Sequence, residues 1–224
     1  MQVEGQEEVT RVALGVTAGQ ELFAAAIGMG AQLIIVHHGL IFAPIERLTG
    51  LIARRVRELL RHDVSLAAYH LPLDRHPEVG NNALLCRHLG VVETRPFGEV
   101  RGMPLGLIGE LQGPALLDEL AGRLERACGQ APRQLAFGPR QVERVAVVTG
   151  AGADLLEEAA RLGAHVFVTG EAAERTHEVC RELGVCVLLG GHYATERFGV
   201  QALAPVLAGR FGVEATFIDV PNPL

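Results

Sequence analysis

The sequence predicts an α/β fold made of two similar halves, and three observations support this interpretation. Short runs rich in Val and Ile alternate along the chain with segments of helical periodicity. One stretch of sequence recurs in the second half of the chain. Polar side chains follow the predicted strands at equivalent places in both copies. Alternating strands and helices are typical of parallel sheets covered by helices.

The chain has 224 residues, enough for one large or two small domains. Predicted strands cover residues 9–16, 33–36, 64–69, 105–111, 142–149, 166–169, 185–189 and 214–220. Predicted helices cover residues 20–29, 51–61, 80–89, 115–127, 153–162, 173–183 and 194–209. Because the pattern changes near residues 93–104, we assign residues 1–97 to a first α/β half and 98–224 to a second. The second half includes a short connecting segment, 98–141.

The composition is that of an ordinary globular protein. Apolar residues make up 49% of the chain and charged residues 21%, which excludes wholesale disorder. The formal net charge of −6 gives no general support for nucleic-acid binding, and small polar or phosphorylated ligands fit better. The N-terminus is acidic and no apolar run reaches about 18 residues, so neither a signal peptide nor a membrane helix is predicted. We therefore expect a cytoplasmic protein.

Two sets of side chains have a structural interpretation. No pair of cysteines has C-x-x-C spacing, so we expect reduced and mostly buried thiols at Cys86, Cys128, Cys180 and Cys186. Predicted helix 51–61 has an apolar face, and its arginines lie on other faces. This pattern favours a solvated amphipathic helix over a phosphate-binding patch. The arginines are Arg54, Arg55, Arg57 and Arg61.

An internal repeat is the most informative feature of the sequence. Residues 9–38 align without a gap with residues 142–171, and ten of these thirty positions are identical. Unrelated sequences of this composition agree at roughly two or three positions in thirty. Each copy has the pattern of one β-α-β unit, and each continues through a helix into a further apolar strand. The chain is therefore predicted to be an internal duplication.

The further strand of each copy ends in the same polar pattern. In the first copy it ends at His70, with Asp74 four positions later. In the second copy it ends at His192, with Glu196 four positions later. Because ligands bind outside the carboxyl ends of the strands in open α/β sheets, these side chains are candidates for a binding site.

His37 and His38 close the preceding strand of the first copy. Adjacent side chains of a regular strand point to opposite faces, so these two lie where the strand ends or bind different ions. With the two His and carboxylate pairs they make six groups, more than one tetrahedral ion needs. Such groups suit borderline divalent cations such as Zn, Fe, Mn or Co. We predict a metal cleft between the two α/β halves, with two ions that share a bridging carboxylate.

Other motifs support no competing chemistry. Gly150-Ala151-Gly152 stands between a predicted strand and a predicted helix, but Leu155 takes the place of the third glycine of a dinucleotide-binding turn. Ser65 is the only serine and lies in a predicted buried strand, and no cysteine has an obvious histidine partner. Metal-activated water is the remaining route to catalysis.

Four segments of the chain resemble one known family. They are LIIVHHGLIF at 33–42, HLPLDRHPEVGNN at 70–82, VTGE at 168–171 and GHYATE at 191–196. In order and spacing they resemble the GTP cyclohydrolase 1 type 2 homologues, also called Nif-three-like dinuclear metal-centre proteins, over nearly the whole chain. The resemblance implies a toroidal homohexamer with metal sites that face an internal cavity, and it implies that His70 lines the metal cleft. The metal ligands that it implies are His37, His38, Asp74, His192 and Glu196.

The residues and the resemblance lead to two hypotheses. The first is a dinuclear metal-dependent hydrolase that acts on a nucleotide or related heterocycle, with His70 as general base or acid. GTP ring opening is the activity that the family name implies. The alternative is a non-catalytic metal-binding ring that binds a protein partner or single-stranded nucleic acid, lined by the arginines of helix 51–61. Neither hypothesis involves a membrane.

Overall fold

The computed structural model describes all 224 residues and shows a mixed α/β protein with two sheets. Two compact units divide the chain. The first comprises Met1–Leu73 and Gly199–Pro221, and the second comprises Asp74–Phe198 and Asn222–Leu224. The predicted α/β class is confirmed, whereas the division of the sequence after residue 97 stays a prediction.

The first unit contains one parallel sheet. Its elements are β1 (Arg11–Thr17), α1 (Gln20–Gly28), β2 (Leu33–His38), α2 (Gly50–Arg61), β3 (Ser65–Ala68) and β10 (Glu214–Phe217). The strand order is β10-β1-β2-β3, and every neighbouring pair is parallel. Parallel strands are buried on both faces and therefore have nearly continuous apolar sequences, as β2 does. Phe23 of α1 and Leu59 of α2 are fully buried in the core of this unit.

The second unit contains a mixed six-stranded sheet. Its strands are β4 (Val91–Val100), β5 (Met103–Leu116), β6 (Arg133–Ala136), β7 (Gln141–Val148), β8 (Val166–Thr169) and β9 (Cys186–Leu189). Their order is β4-β5-β7-β8-β9-β6, with β7, β8 and β9 parallel and the other pairs antiparallel. Its helices are α4 (Asn81–Leu89), α5 (Leu117–Cys128), the short 3-10 helix Ala153–Leu155, α6 (Leu156–Arg161) and α7 (Thr176–Leu183).

Two further helices contain two of the three points where the chain passes from one unit to the other. They are α3 (Leu71–Arg75) and α8 (His192–Phe211). Asp74 of α3 and the first turns of α8 belong to the second unit. None of the helices is both long enough and apolar enough to cross a membrane.

The duplication extends to individual side-chain contacts. The Arg11 guanidinium donates to the Met29 carbonyl at 2.7 Å, and the Arg144 guanidinium donates to the Leu162 carbonyl at 3.4 Å. Arg144 aligns with Arg11 in the sequence repeat, and Leu162 aligns with Met29. In each copy the arginine of the first strand therefore binds the C-terminal end of the following helix. This recurrence is consistent with the predicted internal duplication.

Three elements of the structure were not predicted. β4 has proline in its middle and an exposed polar stretch, so it lacks the alternation that indicates a strand. β6 has four residues and lies at an edge of the sheet, largely exposed. α3 has five residues, too few for a helical period to emerge. Pairing with neighbouring strands stabilises β4 and β6, and local sequence does not report that pairing.

All four cysteines are free and buried, as the sequence predicted. Burial raises the pKa of Cys86 to about 12, partly offset by the Arg87 charge. Burial likewise raises the pKa of Cys128 to about 12, partly offset by Arg197. These thiols are therefore protonated and inert near neutral pH.

Candidate metal centre

Three histidines converge at the carboxyl edge of the first unit's sheet. His37 and His38 end β2, and His70 follows β3. The ring centroids are 4.8 Å apart for His37 and His38, 5.0 Å for His37 and His70, and 5.4 Å for His38 and His70. One nitrogen of each ring lies within 4.8 Å of the others, so this group could bind a metal ion. The strand ends here, which lets adjacent side chains approach each other.

Hydrogen bonds to neighbouring residues fix the orientation of the His37 and His38 rings. Nδ1 of the fully buried His37 lies 3.0 Å from the carbonyl oxygen of Tyr69. A carbonyl only accepts, so Nδ1 of His37 donates and its Nε2 carries the lone pair that a metal needs. Nδ1 of His38 lies 3.1 Å from the hydroxyl of Thr17. Thr17 of β1 thus helps to orient the ring of His38 of β2.

His70 differs from the other two histidines in its surroundings. Its ring packs edge-on against Phe42, with the centroids 5.3 Å apart. The residue is half-buried, whereas His37 is fully buried. A side chain that touches the cluster and also reaches solvent is suited to exchange protons with a substrate.

The second unit presents a histidine bracketed by two carboxylates. His192 begins α8, and its Nε2 lies 3.0 Å from Oε2 of Glu196, one helical turn later. Nδ1 of the same ring lies 3.4 Å from Oε2 of Glu171, just after β8. The hydrogen bond to Glu196 raises the pKa of His192 to about 9, and Glu171 adds to this effect while burial opposes it. The site attracts positive charge.

Asp74 supplies a second buried carboxylate to this unit. Its Oδ1 accepts hydrogen bonds from Asn81 Nδ2 at 2.8 Å and from Thr149 Oγ1 at 3.3 Å. One carboxylate oxygen of Asp74 and one of Glu196 lie within 4.8 Å of each other, and both residues are buried. Two ionised carboxylates repel strongly at this separation in a low dielectric. A cation between them removes that repulsion, so these residues fit a metal ion.

Glycines make room for the Glu196 side chain and for the first residue of α8. Gly150 follows β7 with φ +65°, and a Cβ at this position would overlap Oε1 of Glu196. Gly170 follows β8, and a Cβ there would lie 2.7 Å from the Cα of His192. The Gly150-Ala151-Gly152 turn, which resembles part of a dinucleotide motif in sequence, thus shapes the space around a carboxylate.

A small pocket opens next to Glu171. Its volume is about 210 Å³, and alanines form much of its wall. Arg175 and Asp154 also line it, and they form an ion pair with each other. Both side chains are more than half exposed, so the pair contributes at most about 1 kcal/mol to stability and can open readily.

The predicted site residues all lie in these two clusters. The first unit brings together His37, His38 and His70, and the second brings together Asp74, His192 and Glu196. Their assignment as ligands stays a prediction. Glu171 was missed, although the repeat places it at the position equivalent to His38. The other histidines lie outside the clusters of metal-ligating groups, at His62, His76, His88, His165 and His177.

The sequence of this chain matches one family over nearly its whole length. The family model for Duf34/NIF3 (NGG1p interacting factor 3) matches residues 1–223. The chain belongs to the Duf34/NIF3 family. This assignment confirms the resemblance drawn from the four sequence segments.

Relatives of this Duf34/NIF3 protein include three named "GTP cyclohydrolase 1 type 2 homolog". The protein of Pyrococcus horikoshii is 44% identical over 225 residues, covering all of this chain and 90% of the relative. The protein of Archaeoglobus fulgidus is 42% identical over 224 residues, covering all of this chain and 89% of the relative. The protein of Escherichia coli strain K12 is 42% identical over 227 residues, with the same coverage.

Solved structures of other proteins share the fold. One, described as "Structural genomics, protein ybgI, unknown function", has a TM-score of 0.92 and 42% identity, covering all of this chain and 90% of that one. A second, TTHA1606 from Thermus thermophilus, has a TM-score of 0.90 and 39% identity, covering all of this chain and 88% of that one. The fold of this Duf34/NIF3 protein is therefore that of experimentally determined structures.

Proposed function

We propose that this Duf34/NIF3 protein is a dinuclear metal-dependent hydrolase that acts on a nucleotide or related heterocycle. The observation that carries the proposal is the pair of buried carboxylates, Asp74 and Glu196, within 4.8 Å of each other. His192 contacts one of them, so acidic and imidazole donors meet in one unit. Two divalent ions, of Zn, Fe, Mn or Co, would bind at His37, His38, Asp74, His192 and Glu196.

The side chains around the proposed ligands have distinct chemical tasks. When bound, divalent ions lower the pKa of water toward neutrality and polarise the attacked centre. Asn81 and Thr149 hold Asp74 in place through hydrogen bonds to Oδ1. His70 contacts the histidine cluster without being a proposed ligand, and as general base or acid it would move the proton during attack.

A phosphorylated substrate would bind in the pocket next to Glu171 through a single guanidinium, because the other charged residues of that pocket, Asp154 and Glu171, are carboxylates. The one basic residue of the pocket, Arg175, carries a guanidinium that suits bidentate binding of phosphate. That guanidinium forms an exposed ion pair with Asp154, and a phosphate can replace the Asp154 carboxylate at small cost. The relatives' name suggests GTP as the substrate, and GTP ring opening is the form of the proposal to test first.

Five exposed apolar side chains between residues 42 and 60 support self-association, and we propose the homohexameric ring that the sequence resemblance implies. The side chains of Phe42, Ile45, Leu48, Leu51 and Leu60 are between 42% and 59% exposed. Large exposed apolar patches are typical of interaction surfaces.

The alternative function is a non-catalytic metal-binding ring that binds a partner or single-stranded nucleic acid. It is favoured by one observation, an open pocket of about 340 Å³ on α2 that combines apolar side chains with Arg57 and Arg61. Neutralising these arginines would abolish salt-dependent oligonucleotide binding if this alternative holds.

A nucleotide screen with added divalent metal distinguishes the two functions. We expect turnover of GTP or another nucleotide by the wild-type protein and its loss in Glu196→Ala, which should remain folded. Arg175→Gln should raise KM for a phosphorylated substrate more than it lowers kcat. Oligonucleotide binding without turnover of any nucleotide would favour the alternative.

A further inference from the structure

The second unit contains a positively charged pocket that none of the proposed metal ligands lines. Its volume is about 570 Å³. Arg87 and His88 at the end of α4 form one wall, Gln112 and Gly113 of β5 form another, and Arg123 of α5 completes it. The lining residues provide two guanidiniums and an imidazole but no carboxylate. The pocket is therefore a concentration of positive charge in an acidic protein.

Backbone carbonyls hold both guanidiniums in place. Arg87 donates to the carbonyl oxygens of Glu78 at 2.8 Å and Pro77 at 3.2 Å. Arg123 donates to the carbonyl oxygen of Leu89 at 2.8 Å, at the end of α4. This last bond offsets the partial negative charge of the helix C-terminus. A guanidinium has five N–H donors, so these contacts position it and leave donors for an anion.

Four other arginines of this chain are compensated by a carboxylate, whereas Arg75 and Arg197 donate to backbone carbonyls. Arg11, Arg144, Arg175 and Arg181 each lie against a carboxylate. Arg87 and Arg123 are held by neutral backbone carbonyls instead. The positive charges of both side chains lie at one pocket.

The backbone conformation around the pocket leaves its interior open. The pairing of β5 with β7 shifts register between Glu110 and Ala115, and Gln112 and Gly113 lie in this irregular stretch. Such bulges are over-represented next to binding sites. Gly113 has φ +138°, and a Cβ there would meet no atom within 4 Å. At Gly90, by contrast, a Cβ would lie 3.0 Å from a nitrogen of Arg123, so the missing side chain makes room for the guanidinium.

We propose that this pocket binds the phosphate group of a free small molecule, separately from the candidate metal centre. Guanidiniums bind phosphate through parallel charge-assisted hydrogen bonds, and two of them in one pocket can share its oxygens. Gln112 lies at the same pocket and adds an amide donor. No Phe, Tyr or Trp lines the pocket and His88 provides its one ring, so the pocket offers no row of aromatic side chains for the successive bases of a single-stranded nucleic acid.

The test is calorimetric titration of the full-length, metal-loaded protein with inorganic phosphate. Gln112→Glu adds a negative charge to the pocket and keeps the backbone contacts of both arginines. It should weaken phosphate binding at least about fivefold. Gln134→Glu makes the same change of net charge on β6, at the edge of the sheet away from β5, and should bind phosphate as the wild type does. Metal content measured on the same samples should be equal in all three proteins.

A second variant, with Arg87→Gln and Arg123→Gln together, should remove the binding that Gln112→Glu weakens, with circular dichroism to confirm the fold. Equal phosphate affinity in the wild type and in Gln112→Glu would overturn the proposal, because the anion would then bind elsewhere. The absence of binding at about 10 mM phosphate would also overturn the proposal. A dissociation constant above that concentration corresponds to a binding free energy weaker than about 3 kcal/mol. If the protein sediments with phosphatidylglycerol vesicles but does not bind inorganic phosphate, the pocket binds a lipid headgroup. That result would contradict the proposal of a free small molecule. Each result is independent of whether the metal centre hydrolyses nucleotides.

Discussion

Nε2 of His192 lies 3.0 Å from Oε2 of Glu196, one turn further along α8. Glu171 approaches the other nitrogen of the same ring at 3.4 Å, so one imidazole stands between two carboxylates. Gly150 provides the space that Glu196 occupies. The arrangement attracts cations, and this property links the fold of the second unit to its proposed chemistry.

Gly150→Ala should disturb both stability and metal binding. The new Cβ would overlap Oε1 of Glu196, and the residue would also have to adopt φ +65°. The matched control is Gly184→Ala, which requires φ +64° but would meet no atom within 4 Å. Urea unfolding should show a loss of about 1–2 kcal/mol for the control and a larger loss for Gly150→Ala. Only Gly150→Ala should lose metal, and equal effects of the two substitutions would contradict this account of the turn.

Asn81→Ala should weaken metal binding without removing a proposed ligand. Asn81 donates to Oδ1 of Asp74 at 2.8 Å and so orients the carboxylate. Loss of such an orienting bond typically costs about 10–100-fold in metal affinity. Competition with a chromogenic chelator measures that affinity, and the same affinity in Asn81→Ala and the wild type would show that Asp74 is held by other contacts.

The cysteines should be unreactive in the folded protein. The raised pKa of Cys86 and Cys128, about 12 for each, keeps both thiols protonated at pH 8. The pKa of these thiols is higher in the folded than in the unfolded protein. The protonated thiols therefore contribute to the stability of the fold fully at a pH below the unfolded pKa, and this contribution is lost as the pH rises toward 12. Ellman's reagent at pH 8 should react slowly with the native protein and at once with four thiols in denaturant. Rapid reaction of the native protein would contradict the observed burial.

Leu51→Asp should disrupt self-association. Leu51 is 49% exposed on α2 and is one of the five apolar side chains proposed to take part in an interface between copies. Leu183→Asp on α7 is the control, since Leu183 is 43% exposed and is not one of those five side chains. Light scattering coupled to size exclusion should give a smaller mass for Leu51→Asp alone. An unchanged mass for both variants would place the interface elsewhere.

The sequence predicted the parts of the structure that depend on periodicity and on the succession of elements along the chain. The ends of β2 and β3 carry the predicted histidines because parallel strands present their carboxyl ends at one edge. The proximity of His192 and Glu196 follows from their spacing of one helical turn. These relations are local or follow from parallel topology, so residue order alone is enough to predict them.

Other features depend on contacts between distant segments. The Tyr69 carbonyl fixes the ring of His37, and that contact exists only after β2 and β3 have paired. Glu171 contacts His192 because β8 and α8 meet in the folded unit. The short β6 is stabilised by its pairing with β9. Nothing in the local sequence encodes these pairings, and the sequence-based interpretation missed them for that reason.

The content of divalent metal per subunit tests the central claim most directly. It should be measured by plasma mass spectrometry on tag-free protein prepared without chelators, with His192→Ala and Glu196→Gln as variants. We expect about two ions per wild-type subunit, as a dinuclear centre requires, and a clear loss in both variants. Negligible metal in the wild-type protein after reconstitution with Zn, Fe, Mn or Co would contradict the account.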